Sequence, residues 1–188
     1  LRIIVGITGA SGSIYGIRLL ERLRRTPEVE THLVITRSGE RTLFLETGRK
    51  PAEIRELAHF CYPIDDVGAA LASGSFLTRG MIVAPCSIRS LSGVACGISS
   101  NLLLRAADVT LKERRPLILM VRESPFHLGH LRSMVAATEM GAIIAPPIPA
   151  FYTKPAGIDD LVDHSIDRVL DLIGLSADDA KRWPPEVS

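Results

Sequence analysis

Apolar positions along this chain recur with two alternating periods. A β-branched run, Ile3, Ile4, Val5 and Ile7, predicts a strand over residues 2–8. Small residues follow, Thr8-Gly9-Ala10-Ser11-Gly12-Ser13. From Ile14 the period lengthens, and Ile14, Ile17, Leu20 and Leu23 line one side of a helix predicted over 14–25, which Thr26-Pro27 ends. The same change recurs down the chain. Further strands are predicted over 31–36, 80–84, 117–121 and 142–145. Further helices are predicted over 38–46, 51–60, 87–95, 102–113, 127–140 and 158–173. Gly48 breaks the second helix from the third, and Pro51 suits a first helical turn. Residues 62–76 read as irregular, and 146–155 carry four prolines and cannot be regular. Such alternation implies a parallel sheet with helices on both faces and right-handed crossovers. The pattern reads as one domain over 1–175 followed by a tail or arm over 176–188.

Ligands of such a sheet bind where its strands end. The first strand runs into a small-residue turn and then a helix, so backbone N–H groups and a hydroxyl meet a positive helix end. An anionic or phosphorylated ligand suits that turn. It is not G-x-G-x-x-G, and no Lys-Ser/Thr pair makes it a nucleoside-triphosphate loop. Other predicted strand ends carry Thr36-Arg37-Ser38, Ala84-Pro85-Cys86-Ser87, Arg122-Glu123-Ser124-Pro125 and the proline-rich loop before Tyr152. Together they make a flavin or nucleotide crevice along one edge. Each turn by itself also suits ordinary packing.

Composition narrows the class. Apolar residues make up 46% of the 188, and the mean hydropathy is +0.22. Strands buried on both faces, or a surface covered in an oligomer, account for such values. Lys plus Arg number 22 against 21 Asp plus Glu, which gives no overall electrostatic case for nucleic acid. No apolar run reaches membrane-spanning length, and the first run lacks the plan of a signal peptide. Three cysteines, Cys61, Cys86 and Cys96, without C-x-x-C spacing, read as reduced thiols of a cytoplasmic protein. The five histidines show no metal-ligand pattern.

Several charged groups have two readings each. Arg105 and Lys112 lie seven apart and share a helix face, as a small-anion clamp or as a solvated helix end. Arg114, Arg115 and Arg122 add positive charge around the fourth strand. Glu123, beside Arg122, is a proton carrier or half of a salt bridge. Glu46 follows Leu43, Phe44 and Leu45, a setting that raises its pKa if buried, or it is exposed. Cys86 reads as a small packed thiol rather than a nucleophile. Tyr152 and Trp183 are lid aromatics or packing residues.

Specificity comes from the joint occurrence of GITGASGSIYG at 6–16, SGSF at 73–76, APCS at 84–87, RAADVTLKERRPL at 105–117, VRESPFHLGHLR at 121–132 and PAFY at 149–152. With these the chain closely resembles the UbiX-type flavin prenyltransferases, once described as aromatic-acid decarboxylases, from Arg2 to about Trp183. The resemblance implies an α/β, Rossmann-like and flavodoxin-like three-layer sandwich that assembles as a dodecamer. It implies a metal-independent reaction of reduced FMN with dimethylallyl monophosphate. The prenyl group joins N5 and then C6 of the flavin, and phosphate leaves. The product, prenylated FMN, serves UbiD-type decarboxylases, as in ubiquinone biosynthesis.

Carried over by motif, Gly9, Ala10, Ser11, Thr36, Ser87, Ile88, Arg89, Ser90 and Arg122 look like flavin-binding residues. Thr36 stands where related sequences have Ser, and the hydroxyl is kept. Tyr152 and Arg168 match prenyl-phosphate ligands, with Arg105 and Lys112 as partners and Trp183 as an aromatic near the substrate. Ser11, Glu46, Glu123 and Lys112 are the catalytic candidates. Allylic C–O cleavage leaves negative charge on phosphate, which Arg105, Lys112, Arg168 and the Tyr152 hydroxyl suit. Neighbouring subunits complete the site in this family. Two other readings remain: a flavin-dependent decarboxylase of the phosphopantothenoylcysteine type, and a non-catalytic flavin carrier.

Overall fold

The computed structural model describes residues 1–175. The expected tail over 176–188, with Trp183, lies outside the described residues. Six parallel strands form the sheet: β1 (Arg2–Ile7), β2 (Glu30–Ile35), β3 (Phe60–Tyr62), β4 (Gly80–Cys86), β5 (Leu117–Val121) and β6 (Ala142–Ile144). Their order is β3-β2-β1-β4-β5-β6. Without β3, the remaining order is that of flavodoxin-like winding, reversing between β1 and β4.

Each face of the sheet collects its own helices. Ile3, Val5 and Ile7 of β1 pack with α1 (Ser13–Arg24), α2 (Arg37–Thr47), α3 (Pro51–Arg55) and α7 (Ile158–Leu172). Ile4, Met81 and Val83 face α4 (Ile88–Ala95), α5 (Leu102–Lys112) and α6 (Leu128–Glu139). The three layers expected from the strand-helix alternation are therefore present. Gly6 lets α5 approach β1 closely, since a Cβ there would sit 3.0 Å from Leu103 Cδ1 and press that side chain aside.

The second edge of the sheet departs from expectation. The helix expected over 51–60 ends at Arg55, and residues 60–62, outside any expected strand, form β3. Turn-type bonds from Leu57 N–H to Ile54 O (3.1 Å) and from Ala58 N–H to Arg55 O (3.1 Å) close the helix early. The chain then extends beside β2, pairing His32 with Phe60 and Val34 with Tyr62. Three residues are too few to establish a period-two pattern, so tertiary pairing decides this strand.

His32 explains what that edge gains. It is 2% exposed and stacks on Phe60 with ring centroids 5.1 Å apart. Nε2 lies 2.8 Å from Glu30 Oε1, and Nδ1 lies 3.0 Å from the Tyr62 hydroxyl. Burial pushes the imidazole pKa down, against the raising effect of Glu30. The His32 bond, with help from Arg2, holds Glu30 below the usual carboxylate range.

A base whose folded pKa lies below its unfolded value binds fewer protons when folded. Its contribution to stability is complete above the unfolded histidine value, about 6.5, and is lost as pH falls below it. Urea midpoints should therefore fall between about pH 7 and about pH 5. His32→Phe, which keeps the stack and removes the titration, should flatten that decline, and an equal decline in the variant would refute the assignment.

Candidate active site

Thr8 fixes the seam where the strand order reverses. Its buried hydroxyl donates to Pro85 O (2.7 Å) and accepts from Ser87 N–H (2.8 Å). The ends of β1 and β4 are thereby held side by side, across the cis Ala84-Pro85 bond. Small residues are needed here. A Cβ on Gly16 of α1 would meet Ala84 O at 2.4 Å, and one on Gly9 would meet Ser38 Cβ at 2.6 Å.

Helix α2 lies across the first turn. Thr42 Oγ1 donates to Gly9 O (3.3 Å). Glu46 of the same helix accepts from Gly12 N–H (3.0 and 3.1 Å) and from Ser13 N–H (2.8 Å). Gly12 precedes α1 with φ 100° and supplies no side-chain cap, so Glu46 takes that role. The N-terminus of α1, expected to receive a ligand anion, thus already holds a carboxylate from within the chain. Glu46 is exposed, so the rise in pKa expected on burial does not arise. Desolvation pulls it up, but the Ser11 hydroxyl and the Ser13 and Gly12 N–H groups outweigh that and hold it low.

Two further helix starts face the same rim. Thr36 caps α2 by accepting from Gly39 N–H (3.0 Å). Ser87 caps α4 by accepting from Ser90 N–H (3.3 Å) and donates to Ser90 Oγ (3.2 Å). With Ser90 N–H capped, the Ile88 and Arg89 N–H groups remain as first-turn donors of α4. Arg122 follows β5, its N–H on Cys86 O (3.1 Å) and its side chain exposed. Glu123 is half-buried, with Ser124 N–H on its carboxylate (3.0 Å). Cys86 is fully buried, and burial pushes its thiol up to about 12, consistent with a packing role.

Gly9, Ala10, Ser11, Thr36, Glu46, Ser87 to Ser90, Arg122 and Glu123 thus gather where β1, β2, β4 and β5 end. A second group stands on α7. The Tyr152 hydroxyl lies 3.1 Å from His164 Nε2, and Arg168 pairs with Asp171 at 2.8 Å. A cleft of about 230 Å³ beside them is lined by Met120, Ala145, Ile148, His164, Arg168 and Leu172. Sequence reasoning passed over His164, although its spacing of four from Arg168 was a usable signal. It also passed over the tie between Thr8 and Ser87 and the bond from Thr42, which depend on tertiary placement.

Arg105 and Lys112 stand elsewhere. Arg105 pairs with Asp108 (2.6 Å), and Lys112 bonds to Glu113. Lys112 ends α5 just before β5 begins, beside Gly74. It therefore lies at the starting edge of the sheet, roughly a strand length, about 17–20 Å, from the Gly9–Ser11 turn. One protomer does not bring Lys112 to its own rim.

Comparison with known proteins decides the family. The Flavoprotein family model matches residues 1–170. Flavin prenyltransferase UbiX of Thauera aromatica is 54% identical over 183 residues, covering 97% of this chain and 94% of the relative. The chain belongs to the UbiX flavin prenyltransferase family. A crystal structure of a dodecameric FMN-dependent UbiX-like decarboxylase from Escherichia coli O157:H7 superposes with a TM-score of 0.95 at 46% identity, covering 97% of this chain and 99% of that one. AnUbiX (PadA1), in complex with FMN and dimethylallyl pyrophosphate, superposes at 0.94 with 47% identity, covering 97% and 96%.

The Glu46 cap makes a testable statement about this UbiX-family rim. Glu46→Ala should lower unfolding stability by about 1 kcal/mol, the usual cost of losing a cap. A folded pKa below the unfolded value places the carboxylate's contribution above the ordinary glutamate range and removes it as pH falls through the folded value. The stability gap between the wild type and Glu46→Gln should therefore close in acid. Urea titrations at several pH values measure it, and a gap that widens toward low pH would contradict the assignment.

Proposed function

We propose that this protein joins the dimethylallyl group of dimethylallyl monophosphate to N5 and C6 of reduced FMN, releasing phosphate. Support comes first from close relatives that bear the name flavin prenyltransferase UbiX. Support comes next from a related structure holding FMN with dimethylallyl pyrophosphate. At about half identity over nearly the whole chain, these favour prenyl transfer over a cysteine-type decarboxylation or passive flavin carriage.

The residues at the rim fit FMN. The first-turn N–H groups of α4, the Ser87 and Ser90 hydroxyls and Arg122 offer donors for the phosphate and flavin oxygens. Since Glu46 already occupies the start of α1, the start of α4 is the better anion seat. Reduced FMN supplies the electron-rich atoms that accept the prenyl group. Ser11, whose hydroxyl helps hold the Glu46 carboxyl low, is assigned to exchanging a proton at the turn. Glu123 is assigned to protonating the departing phosphate or stabilising the allylic fragment.

Arg168 and Tyr152 hold the prenyl phosphate from α7 and its preceding loop, and Arg105 and Lys112 complete the cationic set. Trp183 is assigned beside the substrate. Lys112 reaches the site from a neighbouring protomer, because its own rim lies at the far edge of the sheet. Assembly as a dodecamer suits the outer face of α6, where Leu128, Leu131 and Val135 are 59%, 46% and 58% exposed at helical spacing. No helix among the described residues is long and apolar enough to cross a membrane. A cytoplasmic site of action, with product delivered to a UbiD-type decarboxylase, completes the reading.

Incubation with reduced FMN and dimethylallyl monophosphate should release phosphate and give a flavin heavier by one prenyl unit in the mass spectrum. An unchanged flavin mass would end the proposal. Glu123→Gln should keep FMN binding and slow turnover, and an unaltered rate would remove Glu123 from the mechanism. Lys112→Ala and Tyr152→Phe should each be impaired alone. Co-assembled, they should recover part of the activity, because some sites then draw both groups from intact chains. Full turnover by isolated monomers would contradict shared sites.

A further inference from the structure

His164 is the side chain that the proposed chemistry leaves unused, yet it touches a group that the chemistry needs. Its Nε2 lies 3.1 Å from the Tyr152 hydroxyl. The two rings meet edge to face, with centroids 5.6 Å apart and planes at 87°. On α7, His164, Arg168 and Asp171 follow at spacings of four and three, so all face one way. Asp171 orients Arg168 (2.8 Å) while His164 meets Tyr152. The helix therefore supports both groups assigned to the prenyl phosphate.

The number of protons decides the direction of the bond. A tyrosine hydroxyl has one proton to give. Were it given to His164, none would remain for a phosphate oxygen, which only accepts. We infer that His164 is a positioning residue whose Nε2–H donates to Tyr152 Oη and turns the tyrosine proton toward the substrate phosphate. This rests on the reading of Tyr152 as a phosphate ligand.

The placement of Tyr152 explains the need. It sits in a single 3-10 turn (Phe151–Thr153) that ends at Lys154 with φ 50°. Proline-rich chain precedes that turn, and its ring is 39% exposed. Local bonds from Thr153 Oγ1 to Ala150 O (2.8 Å) and from Lys154 N–H to Phe151 O (3.0 Å) shape the turn. The bond to His164 links the hydroxyl to a helix whose opposite side is packed in the core through Val162, Ile166, Val169 and Leu170.

Steady-state kinetics with reduced FMN and dimethylallyl monophosphate test this in four proteins: wild type, His164→Leu, His164→Gln and Tyr152→Phe, with the Leu and Phe changes also combined. His164→Leu should raise the KM for the prenyl phosphate about five- to tenfold, the range of one hydrogen bond. FMN affinity should stay unchanged and kcat should stay within about twofold. His164→Gln keeps an N–H donor at similar reach and should stay within about twofold of wild type. In the Tyr152→Phe background, His164→Leu should add nothing. An unchanged KM in His164→Leu overturns the inference, as does a further loss in the double variant or a Gln variant as weak as Leu. If Tyr152→Phe alone leaves KM unchanged, the assignment of Tyr152 as a ligand fails first, and that failure is distinct from one seen only at His164.

Discussion

Thr8 has one hydroxyl and uses it in both directions, giving its proton to Pro85 O and accepting the Ser87 N–H. Around this buried exchange the rim is built. It locks the end of β1 to the end of β4, where the sheet reverses its winding and a crevice must open. The turn after β1 and the cap of α4 are then neighbours by necessity. A nonpolar residue in place of Thr8 would leave the half-buried Ser87 N–H without this partner, a loss that costs about 1–3 kcal/mol, while Pro85 O would keep only the longer bond from the Thr8 backbone N–H (3.3 Å).

The second constraint is electrostatic. A helix start attracts an anion, and here the chain supplies its own in Glu46. That carboxylate orients the Ser11 hydroxyl and stays ionised through three hydrogen-bond donors. It also redirects any ligand phosphate toward α4, where the first-turn N–H groups and the nearby Arg122 offer positive potential. Of the three helix starts at this rim, that of α1 is thus neutralised by a carboxylate of its own chain, while those of α2 and α4 carry only hydroxyl caps.

Much of this was legible in the sequence, for identifiable reasons. Four strands run five to seven residues, are rich in apolar residues and are bounded by turn residues, so their pattern outweighs local noise. The three residues of β3 carry no pattern and depend on stacking between His32 and Phe60. The hydroxyls of Thr36 and Ser87 sit at cap positions, which sequence encodes well. Glu46 takes the exposed one of its two expected settings, because its apolar neighbours in sequence are not its neighbours in space. Phe44 and Leu45 point outward, 51% and 72% exposed, while the carboxylate turns in toward α1. Arg105 and Lys112 do share a face, as spacing demands, but spacing within a helix says nothing about which site that face serves.

The position of Lys112 carries the argument beyond one chain. A leaving phosphate needs cations that are fixed before the bond breaks, and flexible lysines held by nothing serve poorly. Here Lys112 is held by Glu113, and Gly74 packs so closely against the pair that a Cβ would clash with both. Arg115 secures that loop through Gly74 O (2.8 Å) and Phe76 O (2.9 Å). The SGSF stretch therefore acts as a support for a cation at the edge of the sheet opposite its own rim. On the proposed reading of Lys112 as a phosphate ligand, another copy must bring its rim to meet this support, and the loop that stabilises the protomer then ties activity to assembly. On that same reading the outward apolar face of α6 shares in the catalytic design, because whatever fixes the relative placement of two copies also fixes the distance from Lys112 of one to the proposed phosphate seat of the other.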